Sequence, residues 1–215
     1  MSELFISCLN NQFWILSKSI CKLDEDNAIE YYLRSYLPES AFNERGVSLG
    51  SDVSFRFERG IQDLIVLGIG ESSSLTLPFL GILRRSIKTM MLCNLSCIPD
   101  YAFNAFCKNQ YLIVQDTEQL GEGCFSHQHL LVEADLSLCE ALTEIPSNCF
   151  SGNRSLKEVY LPDSIQSIRT NAFTGCDCLE TIYFVGQRDQ WKEVMIEGEG
   201  NESLKKAVVI CLVNE

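Results

Sequence analysis

Four phenylalanines recur along the chain, Phe103, Phe125, Phe150 and Phe173, at separations of 22, 25 and 23 residues, each five positions after Ile98, Leu120, Ile145 or Ile168. Units of this length are too short to bury a core alone and become stable only by stacking on one another. The chain is therefore an array of coils, and 215 residues suit one elongated domain of this kind.

Each unit continues past its phenylalanine in a regular way. Leu156, Val159 and Leu161 follow Phe150, and Leu179, Ile182 and Phe184 follow Phe173. The alternation predicts short strands that bury Val159 and Leu161 and turn Glu158 and Tyr160 to the opposite face. The same template covers Leu131, Ala134 and Leu136 and, more loosely, Asn109, Leu112 and Val114. Weaker copies stand upstream: Ile87, Met90 and Leu92 precede Ile98, and Ile61, Leu64 and Val66 follow Phe55, so the array is expected to reach back to about residue 50. Asn109, where the template wants leucine, predicts a relaxed strand edge, and the extra residues between Phe125 and Phe150 predict a longer loop. Leu161-Pro162-Asp163-Ser164 is a turn. Beyond it Ile165 and Ile168 point inward, and Asn171-Ala172-Phe173 makes a short helical or 3₁₀ corner that plants the ring in the core.

The stretch Ile145-Pro-Ser-Asn-Cys-Phe150-Ser-Gly-Asn-Arg-Ser-Leu156-Lys-Glu-Val-Tyr-Leu161-Pro-Asp-Ser-Ile-Gln-Ser-Ile168-Arg-Thr-Asn-Ala-Phe173-Thr-Gly-Cys176 resembles the BspA-type leucine-rich repeat. The tail, with Ile182-Tyr-Phe-Val-Gly186, Gln190-Trp191-Lys-Glu-Val and Gly200-Asn-Glu-Ser-Leu-Lys-Lys-Ala207, resembles the segment that closes such arrays in gut-associated bacteria. The resemblance implies an α/β repeat fold: a right-handed leucine-rich-repeat solenoid with a parallel β-sheet along one face and short 3₁₀ or helical corners, capped at both ends. It implies binding rather than catalysis, and many members are surface or secreted proteins implicated in adhesion. The expected layout is an N-terminal cap or degenerate repeat over 1–48, repeats over 49–185 and a C-terminal cap over 186–215.

A solenoid exposes an apolar cross-section at each end, which terminal segments must cover. Trp191 is the expected C-terminal cap, on one or two helical turns over 189–194, and 207–212 reads as a final apolar strand. At the other end Phe13, Trp14, Ile15 and Leu16 precede an acidic turn, Asp24-Glu25-Asp26, and then the stretch from Ile29 to Leu37. Leu37-Pro-Glu-Ser-Ala-Phe42 echoes the repeat, so this segment is a decayed repeat or a partner-binding arm.

A net charge of -12 excludes nucleic-acid and anionic-membrane surfaces as partners and favours a basic or neutral protein. Eleven cysteines form no regular paired framework and read as reduced thiols. Cys107, Cys124, Cys149 and Cys176 sit beside the repeat phenylalanines, where a small buried side chain suits a tight turn. Glu3 and the Asn10-Asn11-Gln12 interruption argue against a secretory signal in Met1–Lys22. No apolar run approaches the roughly 18 residues of a membrane span. The expected location is the cytoplasm, with the surface or secretion as the alternative that the resemblance implies.

Candidates for chemistry are sparse. His127 and His129 lie near Cys124 and Cys139 in sequence without a metal-ligand spacing, and Cys93 and Cys97 fall in a turn. With both histidines in one loop there is no base placed for a cysteine nucleophile. Gly68-Ile-Gly70 and Gly121-Glu-Gly123 lack the lysine and long helix of a phosphate loop, and Glu197 and Glu199 read as solvated. No catalytic set, metal or cofactor is expected.

What remains is the outward row of the sheet: Thr89 and Met91, Tyr111 and Ile113, Glu133 and Asp135, Glu158 and Tyr160, Thr181 and Tyr183. Stacked strands stand about 4.8 Å apart, so these residues form ladders across the coils. Aromatic anchors amid charge suit a protein-binding face, with Met91, Tyr111, Ile113, Glu133, Asp135, Glu158, Tyr160 and Tyr183 as candidate contacts. The alternative is that Tyr160 and Tyr183 only brace adjacent strands. The expected function is a non-catalytic module that binds another protein or peptide, or alternatively a cell-surface or secreted bacterial adhesin. A homodimer through the N-terminal segment or an open edge stays possible.

Overall fold

The computed structural model describes residues 84–85 and 87–213 in full and, upstream, the backbone of strands at 14–15, 42–43, 46–48, 53–58 and 63–68. The expectations for Phe13, the acidic turn at 24–26, the stretch 29–37 and Ile61 lie outside these residues.

The main sheet has eight strands. In chain order they are β4 (Val53–Glu58), β5 (Asp63–Gly68), β6 (Thr89–Cys93), β8 (Tyr111–Gln115), β10 (Glu133–Leu138), β12 (Glu158–Leu161), β14 (Thr181–Phe184) and β16 (Val208–Cys211). From β5 onward every pairing is parallel, one strand per coil, as a winding chain requires. Shorter strands run along a second wall. There β7 (Cys97–Ile98) pairs with β9 (Gln119–Leu120), and β11 (Glu144–Ile145), β13 (Ser167–Ile168) and β15 (Met195–Ile196) form a separate ladder. Near the N-terminus β1 (Trp14–Ile15), β3 (Gly46–Ser48) and β2 (Phe42–Asn43) make a small antiparallel sheet.

Period-2 alternation and register together build the interior. Met90, Leu112, Ala134, Val159 and Ile182 are successive cross-strand partners, and all are buried. Between the two walls the rings of Phe103, Phe125, Phe150 and Phe173 stack at centroid spacings of 6.0, 5.6 and 5.2 Å. Each is fully buried, and burying a ring of this size stabilises the fold by about 2–3 kcal/mol.

The corners that carry these rings follow a backbone code. Two residues before each phenylalanine the chain is left-handed, at Tyr101, Gly123, Asn148 and Asn171. Two residues after it the same conformation returns, at Ala105, His127, Gly152 and Gly175. Paired i→i+3 turns fill the space, such as Cys149 N–H to the Pro146 carbonyl and Ser151 N–H to the Asn148 carbonyl. The positive φ values keep these turns from joining into a helix.

A buried polar ladder runs beside the rings. Three residues after Phe125, Phe150 and Phe173, the Gln128 amide donates to the Phe103 carbonyl, the Asn153 amide to the Phe125 carbonyl and the Cys176 thiol to the Phe150 carbonyl. Asn153 also accepts the Gln128 N–H at 2.7 Å. Backbone groups that the tight corners leave unpaired thus find partners one coil away, as buried groups must.

Several expectations change. Asn109 is not a relaxed edge: it is fully buried, and its amide meets that of Gln128 at 2.7 Å. The extra length between Phe125 and Phe150 is not all loop, because β10 slips by one residue between Asp135 and Leu138 against β8. That bulge leaves Leu138 52% exposed. Leu64 and Val66 do take the register of Met90 and Leu92, but Phe55 lies on β4, which runs antiparallel to β5, and Phe42 lies on β2, antiparallel to β3. Glu197 is not simply solvated. It accepts the Thr170 N–H, the Thr170 hydroxyl and the Arg169 guanidinium, and Arg169 also binds Glu144 at 2.6 Å, tying three coils together. Trp191, on α1 (Arg188–Glu193), does pack on the core, with its ring 5.3 Å from that of Phe184. One further coil follows it, through α2 (Glu202–Lys206) with buried Leu204, to β16.

Candidate protein-binding face

Strand register decides which outward side chains become neighbours. Thr89, Tyr111, Glu133, Glu158 and Thr181 are Cα partners in one row, and Met91, Ile113, Asp135, Tyr160 and Tyr183 in the next. Every candidate residue thus lies in one of two adjacent rows. Tyr111 is 45% exposed and the others are half-buried among their neighbours. Both rows run on into β16, where Val208 pairs with Thr181 and Ile210 with Tyr183. Sequence reasoning placed a strand there without including it in the face. The alternation of Val208 and Ile210 with Val209 and Cys211 was the available signal.

The face divides by chemistry. At its centre Tyr160 and Tyr183 stack with ring centroids 4.4 Å apart and planes at 12°. Beside them Glu133 and Glu158 stand directly opposite each other, and Asp135 is opposite Tyr160. Asp135 accepts the Ser137 N–H, and the Tyr160 hydroxyl reaches Glu158 at 3.4 Å. Among the described residues no lysine or arginine pairs with Glu133, Asp135 or Glu158. Partial burial, then the charges of Glu158 and Asp135, push the Glu133 carboxyl above its ordinary value. Burial first, then Glu158 and Glu133, push the Tyr160 hydroxyl up to about 12. Met91, Ile113 and Ile210 continue the second row on either side as apolar surface.

Elsewhere the candidate reactive groups are engaged in the fold. The Cys139 thiol donates to the Val114 carbonyl, and burial raises it to about 11. Cys124 and Cys149 meet sulfur to sulfur at 3.7 Å inside the core. A thiol raised as Cys139 is makes a poor nucleophile. His129 touches the Gly152 carbonyl through Nδ1 at 3.0 Å, and the two histidine rings stand 6.0 Å apart at the surface. Among the described residues no three His, Cys, Asp or Glu side chains gather as a metal site would require. The Gly121 and Gly123 N–H groups donate to the Ile98 and Ser147 carbonyls, so this glycine pair is not free to cradle an anion. Gly121 is there for closeness: a Cβ would come within 2.4 Å of the Pro99 backbone. No described helix is long and apolar enough to cross a membrane.

Residues 85–199 match the family described as BspA type leucine rich repeat region, in six copies. No curated protein matches the chain. Among solved structures it is similar to a leucine-rich repeat protein from Bacteroides ovatus, with 21% identity and a TM-score of 0.46, over 60% of this chain and 31% of that one. It is also similar to a leucine rich cell surface protein from Faecalibacterium prausnitzii (18% identity, TM-score 0.36, 68% of this chain and 41% of that one). A third is the leucine rich repeat protein of T. pallidum (19% identity, TM-score 0.43, 68% and 70%). The chain spans under half the length of the first two.

Proposed function

The chain belongs to the BspA-type leucine-rich-repeat family, and on that premise we propose that it is a non-catalytic module that binds another protein or peptide through the outward face of its main sheet. Members of the family are typically protein-interaction or surface proteins, and such solenoids are typically scaffolds rather than enzymes. The observation that carries the reading is the stacked Tyr160–Tyr183 pair, set in register with an acidic patch and flanked by apolar side chains. Aromatic anchors supply contact area at small entropic cost, and a ring of charge selects the partner. Carboxylates that have no cation partner among the described residues favour a partner that brings one.

The test replaces both tyrosines. Tyr160→Ala with Tyr183→Ala is expected to abolish co-purification of the native partner, identified by mass spectrometry from the source cell, while the circular-dichroism melt stays close to that of the parent. Undiminished capture by a folded double variant would remove this face from consideration. Fractionation of the same cells then separates an internal binding role from adhesion, since a surface role requires protein outside the cytoplasm.

A further inference from the structure

Among the described residues the main sheet ends on β16, whose outer edge has no partner strand. Its only strand partner among the described residues is β14. The Val208 N–H donates to the Glu180 carbonyl and the Leu212 N–H to the Phe184 carbonyl, each at 2.8 Å. A parallel ladder alternates, so the N–H and C=O groups of Val209 and Cys211 point away from β14, where they offer a template to another extended backbone. Edge strands in stable monomers are guarded by charge, proline or a bulge. The segment 207–213, Ala-Val-Val-Ile-Cys-Leu-Val, carries no charge or proline. Val208 and Ile210 are 62% and 41% exposed, and Leu212 is exposed beside them.

We propose that this edge receives β16 of a second copy of the chain, antiparallel across a two-fold axis through Ile210. In that register Val209 of one copy and Cys211 of the other exchange N–H···O=C bonds in both directions, so the free edge groups of both residues are satisfied. Ile210 meets its counterpart in the close, non-hydrogen-bonded position, and Val208 faces Leu212, so every facing pair is apolar. Geometry selects this orientation: parallel pairing about an axis along the strands would set each edge N–H opposite its own copy, which no hydrogen bond can join. Head-to-tail pairing would meet β4 instead, whose sequence interleaves Arg56 and Glu58 as guarding charges. The two-fold contact closes at two copies rather than growing. It also joins two tyrosine stripes into one continuous face, and a repetitive partner could engage both at once.

Light scattering on the full chain across the micromolar range tests the proposal. The expected mass is twice 24.3 kDa, and Ile210→Lys, which sets two ammonium groups together on the axis, is expected to halve it without moving the circular-dichroism melt. Mild oxidation of Ile210→Cys is expected to yield a covalent dimer bridged 210 to 210, because the opposing Cα atoms lie about 4.5 Å apart. Leu212→Cys is expected to form no such bridge, its counterparts being about 13 Å apart. Peptide mapping separates these bridges from those of native thiols and still decides the matter if Ile210→Lys fails to fold. A single-chain mass for the parent, a mass unchanged in folded Ile210→Lys, or a 212–212 bridge overturns the proposal. The Tyr160→Ala, Tyr183→Ala variant is expected to remain dimeric, so the edge and the face are judged separately.

Discussion

Ala105 and His127 hold φ of 58° at corner positions that later coils give to Gly152 and Gly175. A left-handed L-residue costs about 1–2 kcal/mol, and glycine's extra chain entropy returns about 0.5–1 kcal/mol of that. Ala105→Gly is therefore expected to stabilise the fold by about 0.5–1 kcal/mol, read from urea denaturation. Asn153 is the opposite case: Asn153→Ala strands the Phe125 carbonyl and the Gln128 N–H in the core, and at about 1–3 kcal/mol per buried orphan the loss is severe. The carboxylates act with opposite signs. Glu133 has a raised folded pKa, so its ionised form opposes folding at neutral pH, and relief comes as pH falls through that raised value toward 4.5. Glu133→Gln is thus expected to raise the melting temperature at neutral pH, by a margin that shrinks in acid. Glu197, held below its ordinary value chiefly by the Thr170 hydroxyl and then by Arg169, contributes stability above that value and loses it as pH falls through the lowered one.

At the scale of the element, each coil is a strand, a turn, a second short strand and a corner, and almost all of this was legible in the repeat. Buried and outward positions follow from period-2 alternation, which parallel register preserves from coil to coil, so one correctly phased strand phases the rest. Asn109 and β10 were misread because one residue type or one insertion does not reveal its compensation. Gln128, a coil away, satisfies Asn109, and a slip in register absorbs part of the insertion. Phe150 lies between two ring partners; Phe150→Ala should cost about 3–5 kcal/mol. Because coils depend on their neighbours, amide exchange in that variant is expected to accelerate in β10 and β14 as well as β12.

For the whole molecule, the acidic balance and Glu133, Asp135 and Glu158, which pair with no lysine or arginine among the described residues, make one expectation about partners: capture through the face weakens as salt rises, measured by binding at increasing ionic strength. The sequence by itself determined the period, the stacked interior and the two rows that face outward, because a repeat too short to bury its own apolar residues must stack; the parallel sheet was what the resemblance to a known repeat implied. Only the tertiary structure decided that Tyr160 and Tyr183 stack, that Glu197 and Arg169 bind coils together, and that β16 extends the sheet with no partner strand among the described residues on its far edge. Ring contact, ion pairing and the presence or absence of an edge partner are relations between coils, and no single coil's residues encode them.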